Sequence, residues 1–138
     1  MFRYIHAVAQ DRLVAHGKYR GRRVAVYRHH VFRISKPDGM LQRAGYEVVG
    51  VTCRFRDNAA TEQAVADAAA VCAQLGIPHV VAGCVETFEE CVVEPFVASY
   101  AAGLTPSPCV GCNARCKVPT LLAVADEQGC DRVATGHY

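Results

Sequence analysis

No apolar run reaches the roughly 18 residues that a membrane-spanning helix needs, and no signal peptide opens the chain. A membrane span and a secreted disulfide scaffold are thereby set aside. Internal repeats and low-complexity segments are missing too, which sets aside repeat architectures. Acid is almost absent from the first 36 residues, where nine Lys or Arg stand against Asp11 alone, giving +8; the other six basic and twelve acidic residues give −6. Such an arm suits three roles: a phosphate-backbone binder, an Arg-rich and acid-poor mitochondrial presequence, or a solvated leader without fixed structure. Residues 1–22 are read as this basic leader.

What the chain does have is 138 residues that are 51% apolar, enough for one core and short for two. Its eight cysteines could make four disulfides in an oxidising compartment. Without a signal peptide, and with Cys72 and Cys91 inside helical patterns, reduced thiols packed as small core residues are the cheaper reading.

From Arg23 onward short apolar runs alternate with helical patterns. Strands are expected at Val24 to Tyr27, Glu47 to Cys53, His79 to Ala82 and Arg132 to Thr135. The helices between them have their own punctuation. One ends near Ala44 at Gly45. The next is capped by Asn58 or Thr61 and stopped by Gly76 and Pro78; a third carries Phe88, Val92, Phe96 and Tyr100, with Pro95 kinking or restarting it and Gly103 ending it. The last runs from Asn113 through Val118, Leu121, Leu122 and Ala125 to Gly129. Right-handed crossovers then give a doubly wound, parallel, Rossmann-like α/β sheet, with ligands at the carboxyl ends of its strands. Three loops qualify: the one after Tyr27, Cys53 to Asn58, and Gly136-His137. The chain ends where a strand hands over to a loop, so 23–138 reads as an incomplete domain.

The chemistry concentrates in Thr105-Pro106-Ser107-Pro108-Cys109-Val110-Gly111-Cys112-Asn113. Both prolines fix φ and hold the preceding residue extended, so the approach to Cys109 is not helical. Cys112 then falls at a helix entrance, where unpaired N–H groups, Arg115 and Lys117 favour a thiolate. Metal is the competing reading for Cys109, Cys112 and Cys116. Zinc or an iron–sulfur cluster would need a fourth ligand from Cys130 or His137, and one ligand arm only is visible. A thioredoxin-like pair would follow a strand directly, which this one does not. For Cys116 and Cys130 core packing is preferred.

Several motifs in order resemble one family: FEECVVEPFVASY (88–100), Gly103, TPSPCVGCN (105–113), Lys117 and ATGHY (134–138), preceded by GYEVVGVTC (45–53) and LGIPH (75–79). They are similar to the tRNA-specific 2-thiouridylases, over about Gly39 to Tyr138. The resemblance implies the adenine-nucleotide alpha-hydrolase-like fold of an ATP-pyrophosphatase domain. It also implies an enzyme that places sulfur at C2 of the tRNA wobble uridine. By position, Cys112 corresponds to the nucleophilic cysteine. Ser107, Pro108 and Cys109 match the stretch that contacts the target base, and the family carries either Asp or Cys at the last of these. Gly136 corresponds to a glycine of the ATP site, His137 to a tRNA-contacting position, and Cys53 to the place where the backbone meets adenine. Implied partners are tRNA and a persulfide-donating protein; implied cofactors are ATP and Mg2+, with no resident metal centre. The implied location is cytoplasmic, or the mitochondrial matrix if the basic arm is a presequence.

Such a reaction explains the parts. The uracil oxygen leaves badly until it is adenylated, after which sulfur arrives as a cysteine persulfide and a second cysteine releases it through a transient disulfide. Two departures stand out. The family's Ser-Gly-Gly-x-Asp-Ser phosphate loop should lie near His29 to Ser35, which read HHVFRIS without glycine or aspartate. The family's persulfide-bearing cysteine lies beyond Tyr138. Little or no 2-thiolation by this polypeptide alone is therefore expected. Outside the enzyme reading stand a noncatalytic metal or cluster module on Cys109, Cys112 and Cys116, and a generic nucleotide-binding domain.

Overall fold

The computed structural model describes residues 3–6, 23–27 and 41–135. Five strands, β1 (Arg3–His6), β2 (Arg23–Tyr27), β3 (Glu47–Arg54), β4 (His79–Gly83) and β5 (Arg132–Thr135), form one sheet in the order β1-β5-β2-β3-β4. Every pairing in it is parallel. β1 is an addition to the expected set. It falls within the segment read as a basic leader, where Tyr4 and Ile5 supply strand-favouring residue types. The rest of that segment, the arm's other basic residues and His29 to Ser35 lie outside the described residues.

Alternation along the strands assigns two faces. Val24, Val26, Val48 and Ala134 join a core with Leu41, Tyr46, Cys72 and Ile77 on one side. Ala25, Val49, Val51, Cys53 and Val133 face the other way, against Val92, Cys112, Cys116, Leu121, Val124 and Ala125. Period-two alternation in a sheet covered on both sides is what the doubly wound reading requires. The parallel pairing and the expected strand positions agree with it.

Helix α1 (Ala59–Leu75) begins at Asn58, whose side chain accepts from the Thr61 N–H at 2.9 Å. It ends at Gly76 in the left-handed conformation, φ 66°. Its packing on the sheet depends on Gly50 in β3: a Cβ built there would lie 2.5 Å from Cys72 Sγ. Gly50→Ala is expected to push α1 outward and cost about 1–3 kcal/mol, read as a lower urea midpoint with an unchanged m-value.

Two further helices each contain a widened turn. Helix α2 (85–101) runs through Val85–Phe88, a π-helical turn at Glu89–Val93 and Glu94–Ala101. Helix α3 (108–127) runs through Pro108–Cys112, a π-helical turn at Asn113–Lys117 and Val118–Glu127. Each π turn directly precedes a residue–proline pair, Glu94-Pro95 and Val118-Pro119. A proline inside an α-helix lacks the N–H that the carbonyl four residues earlier needs and crowds that carbonyl; widening the turn relieves both. The helix therefore continues through Pro95 rather than restarting there, with the π turn taking up the disruption expected of it.

Candidate functional site

Residues from three elements meet at the carboxyl end of the sheet. β3 delivers Cys53, the turn after β4 delivers Cys84, and α3 delivers Cys112 and Cys116; all four are buried in one core cluster. The Cys53 and Cys112 positions, far apart in sequence, are thus brought together. Ser107 is extended, with φ −104° and ψ 93°, and Pro108 occupies the first helical position, where its fixed φ and missing N–H are an advantage. Helix α3 accordingly starts at Pro108, five residues before the position expected from the apolar spacing.

That earlier start changes the setting of Cys112. Cys109, in the first turn, is exposed, whereas Cys112 stands at the end of the Pro108–Cys112 segment with 7% of its surface accessible. The helix-entrance thiolate environment expected for Cys112 is not what the fold supplies. Burial pushes its thiol up, with the Lys117 charge acting in the opposite direction and Cys109 and Cys84 adding to the rise.

Of these four cysteines, Cys84 is the one whose thiol is pushed down. Its sulfur lies 3.7 Å from Thr120 Oγ1 and 3.4 Å from the Ala82 carbonyl oxygen. Its interactions with Cys53, Thr120 and Cys116 outweigh burial and bring its thiol down to about 6. Cys53 pays the reverse: as hydrogen-bond donor to Cys84 and neighbour of its charge it is held well above the usual thiol range. Burial pushes Cys116 up to about 12. Sequence reasoning missed Cys84 because β4 is an edge strand, and its exit was not among the three loops chosen. The rule that ligands meet the carboxyl ends of strands would have included it.

The Cys53 to Asn58 loop is otherwise occupied by its own charges. Arg54 pairs with Asp57, Nε to Oδ1 at 2.9 Å, and with Glu62. Its guanidinium thus lies between two carboxylates, with Nε in ion-pair range of Asp57 but making no hydrogen bond. Gly136 and His137 lie outside the described residues; β5 ends just before them at Thr135, which is buried.

The metal reading of Cys109, Cys112 and Cys116 meets an obstacle. Cys109 faces solvent while the other two are buried, and no group of three or more His, Cys, Asp or Glu among the described residues is placed to hold a metal ion. No disulfide joins any of the eight cysteines, all of which lie in described residues. No described helix is long and apolar enough to cross a membrane.

Known proteins resemble this arrangement in sequence. A family model described as the tRNA methyl transferase HUP domain matches residues 35–138. The tRNA-specific 2-thiouridylase MnmA of Sinorhizobium fredii is 46% identical over 109 residues, covering 72% of this chain and 27% of that protein. The MnmA proteins of Rhizobium rhizogenes and Rhizobium meliloti are each 45% identical over the same share. The chain spans about a quarter of the length of the curated relatives it matches.

Proposed function

Because the chain belongs to the tRNA-specific 2-thiouridylase family, matching its HUP domain over residues 35–138, we propose that it acts in ATP-dependent 2-thiolation of the wobble uridine of tRNA. The observation that carries the reading is the seating of TPSPCVGCN. Its prolines hold an exposed Cys109 at the mouth of α3, with Cys112 one turn deeper against the sheet's carboxyl end. Cys112 is the nucleophile in this scheme: its thiolate attacks the inner sulfur of a cysteine persulfide, forms a transient disulfide with that cysteine and releases the outer sulfur to uridine C2, from which AMP leaves. Ser107, Pro108 and Cys109 line the approach of the base. His137 meets the tRNA, and Arg115 and Lys117 stand near as positive charge for its backbone.

The described end of the sheet fits the base end of an adenine nucleotide. β2 connects toward β3 while β5 lies on its other side, which creates the switch-point crevice such ligands use. Cys53 at the end of β3 and Gly136 beyond β5 would flank the nucleotide there. ATP, when bound with Mg2+, supplies the adenylyl group that makes the uracil oxygen a leaving group. His29 to Ser35 hold no glycine to cradle its phosphates, so we expect this chain to adenylate slowly. The reading places the protein where tRNA is modified, in the cytoplasm or the mitochondrial matrix.

Crosslinking tests it. A tRNA with 4-thiouridine at the wobble position, irradiated in complex with the chain, is expected to attach within Ser107 to Cys112, with binding that weakens as salt rises. Attachment to α1 or the β1 edge, or no tRNA binding at low salt, would refute the assignment.

A further inference from the structure

Two thiols share the first turn of α3, and they differ in what can reach them. Cys109 is exposed, whereas Cys112 keeps 7% of its surface accessible. The turn that holds them is closed by the Asn113 N–H, which bonds both the Cys109 and the Val110 carbonyl oxygens. Such shared bonding, to the fourth and the third residue back, is the mixture of α and 3₁₀ character common at helix ends. With a rise of about 1.5 Å per residue on a radius of about 2.3 Å, residues three apart in a helical turn have Cα atoms about 5 Å from each other. That separation lies within the roughly 4.4–6.8 Å over which a disulfide forms.

We propose that Cys109 and Cys112 close to a reversible disulfide within the first turn of α3, a modification that takes the Cys112 sulfur out of use. The oxidant is a small-molecule disulfide of the glutathione class. The Cys109 thiolate attacks one of its sulfurs; that S–S bond breaks, the first glutathione leaves as a thiolate, and a mixed disulfide stands on Cys109. The Cys112 thiolate then attacks the Cys109 sulfur; the mixed S–S bond breaks, the second glutathione leaves, and the Cys109–Cys112 bond forms. Two electrons pass from the cysteine pair to glutathione disulfide, and the protons shed by the two cysteines are taken up by the two glutathione thiolates. The closure needs neither tRNA nor ATP. Its consequence, a halt to sulfur transfer, rests on Cys112 being the nucleophile proposed above.

Exposure sets this order. A tripeptide disulfide reaches Cys109 from solvent, while Cys112 is too deeply placed for a reagent of that size. The second step asks the turn to tighten. On a helix, Cβ atoms three residues apart lie about 5–6 Å from each other, against roughly 3.5–4.5 Å across a disulfide. This turn is well suited to the change: Pro108 has no N–H, Ser107 makes no side-chain cap bond, and first-turn N–H groups have no partners within the helix. Gly111, between the two cysteines, adds no side chain to resist it; a Cβ built there would lie 3.2 Å from Arg115 Nη2. Closing so short a ring gains little from chain entropy and strains the helix, which puts the bond among labile, reducible disulfides rather than structural ones. Cys91 is the competitor, half-buried on α2 with its carbonyl oxygen 3.8 Å from a Cβ built at Gly111.

The test uses the full reduced chain, incubated with oxidised glutathione, quenched with N-ethylmaleimide in denaturant and mapped by peptide mass spectrometry. The expected product is a peptide lighter by two hydrogens, whose Cys109 and Cys112 carry neither maleimide nor glutathione while Cys91 is alkylated. Cys112→Ser, checked for its fold by circular dichroism, should instead keep glutathione on Cys109, at least about tenfold more of the mixed disulfide than the parent retains. Cys109→Ser should leave Cys112 alkylated and free of glutathione, and Cys91→Ser should close the 109–112 link at the parent rate. Glutathione that stays on Cys109 in the parent would overturn the proposal. So would a Cys109–Cys91 link, two chains joined through Cys109, or glutathione on Cys112 in Cys109→Ser. A missing link beside an intact wobble-uridine crosslink strikes the disulfide alone, whereas a link formed by a chain that binds no tRNA supports the disulfide and strikes the reaction.

Discussion

Cys112→Ser is expected to abolish whatever 2-thiouridine the chain forms with ATP and a persulfide donor, measured by mass spectrometry of tRNA nucleosides, while Cys109→Ser holds it within about tenfold. A serine hydroxyl neither forms a disulfide nor ionises near neutral pH, so the chemistry has no substitute for the sulfur. Cys109 is exposed and one turn away, and the family resemblance implies either Asp or Cys at its position, so its thiol is expected to be dispensable. The pH dependence gives a second check. Burial raises the Cys112 thiol and Lys117 opposes the rise. Because the folded value lies above the ordinary one, the thiolate fraction keeps growing past the usual thiol range, and product formation should climb with pH through neutrality. Lys117→Met removes the opposing charge and should move that limb to higher pH. Equal product from the serine variant, or a profile that is flat through neutrality, would remove Cys112 from the role.

Leu121→Ala is expected to cost about 2–5 kcal/mol, the largest loss foreseen for a single aliphatic truncation here. Leu121 is 2% exposed and lies in α3 on the face that meets the sheet, in the same cluster as Val49, Val51 and Val133. Removing three carbons there forfeits transfer free energy, and the strands beneath are too constrained to collapse into the space. Domains of this kind are stable by only about 5–15 kcal/mol in total, so the variant should unfold at a much lower urea concentration. The same helix carries Cys112, so sulfur chemistry should fail in parallel with unfolding. A midpoint within experimental scatter of the parent would mean that α3 is not docked as described.

The strands and helix α1 were legible because their signals are local. Alternating valines, an Asn58 cap and Gly76 as a left-handed stop each act within a few residues of where they stand. The start of α3 was not legible from apolar spacing, since Pro108 begins a helix whose first turn carries no apolar stripe of its own. The passage of α2 through Pro95 was hidden for a related reason: periodicity counts assume 3.6 residues per turn, and the π turn breaks the count. The motif TPSPCVGCN identified the site, yet the protonation of its thiols could not be read there. That depends on Cys53, Cys84 and Thr120, which come from separate elements and meet only in the folded chain.

The place of β5 bears on how the protein is made. It lies between β1 and β2, and each register pair it forms joins residues more than a hundred positions apart in the sequence. Until residue 135 has left the ribosome, β1 has no partner in the described sheet and β2 is satisfied on one side alone. Folding during synthesis must therefore stop at the β2–β3–β4 half and wait, with an unpaired central edge open to other nascent chains. High contact order of this sort slows folding and leaves a strand edge exposed to aggregation while it waits.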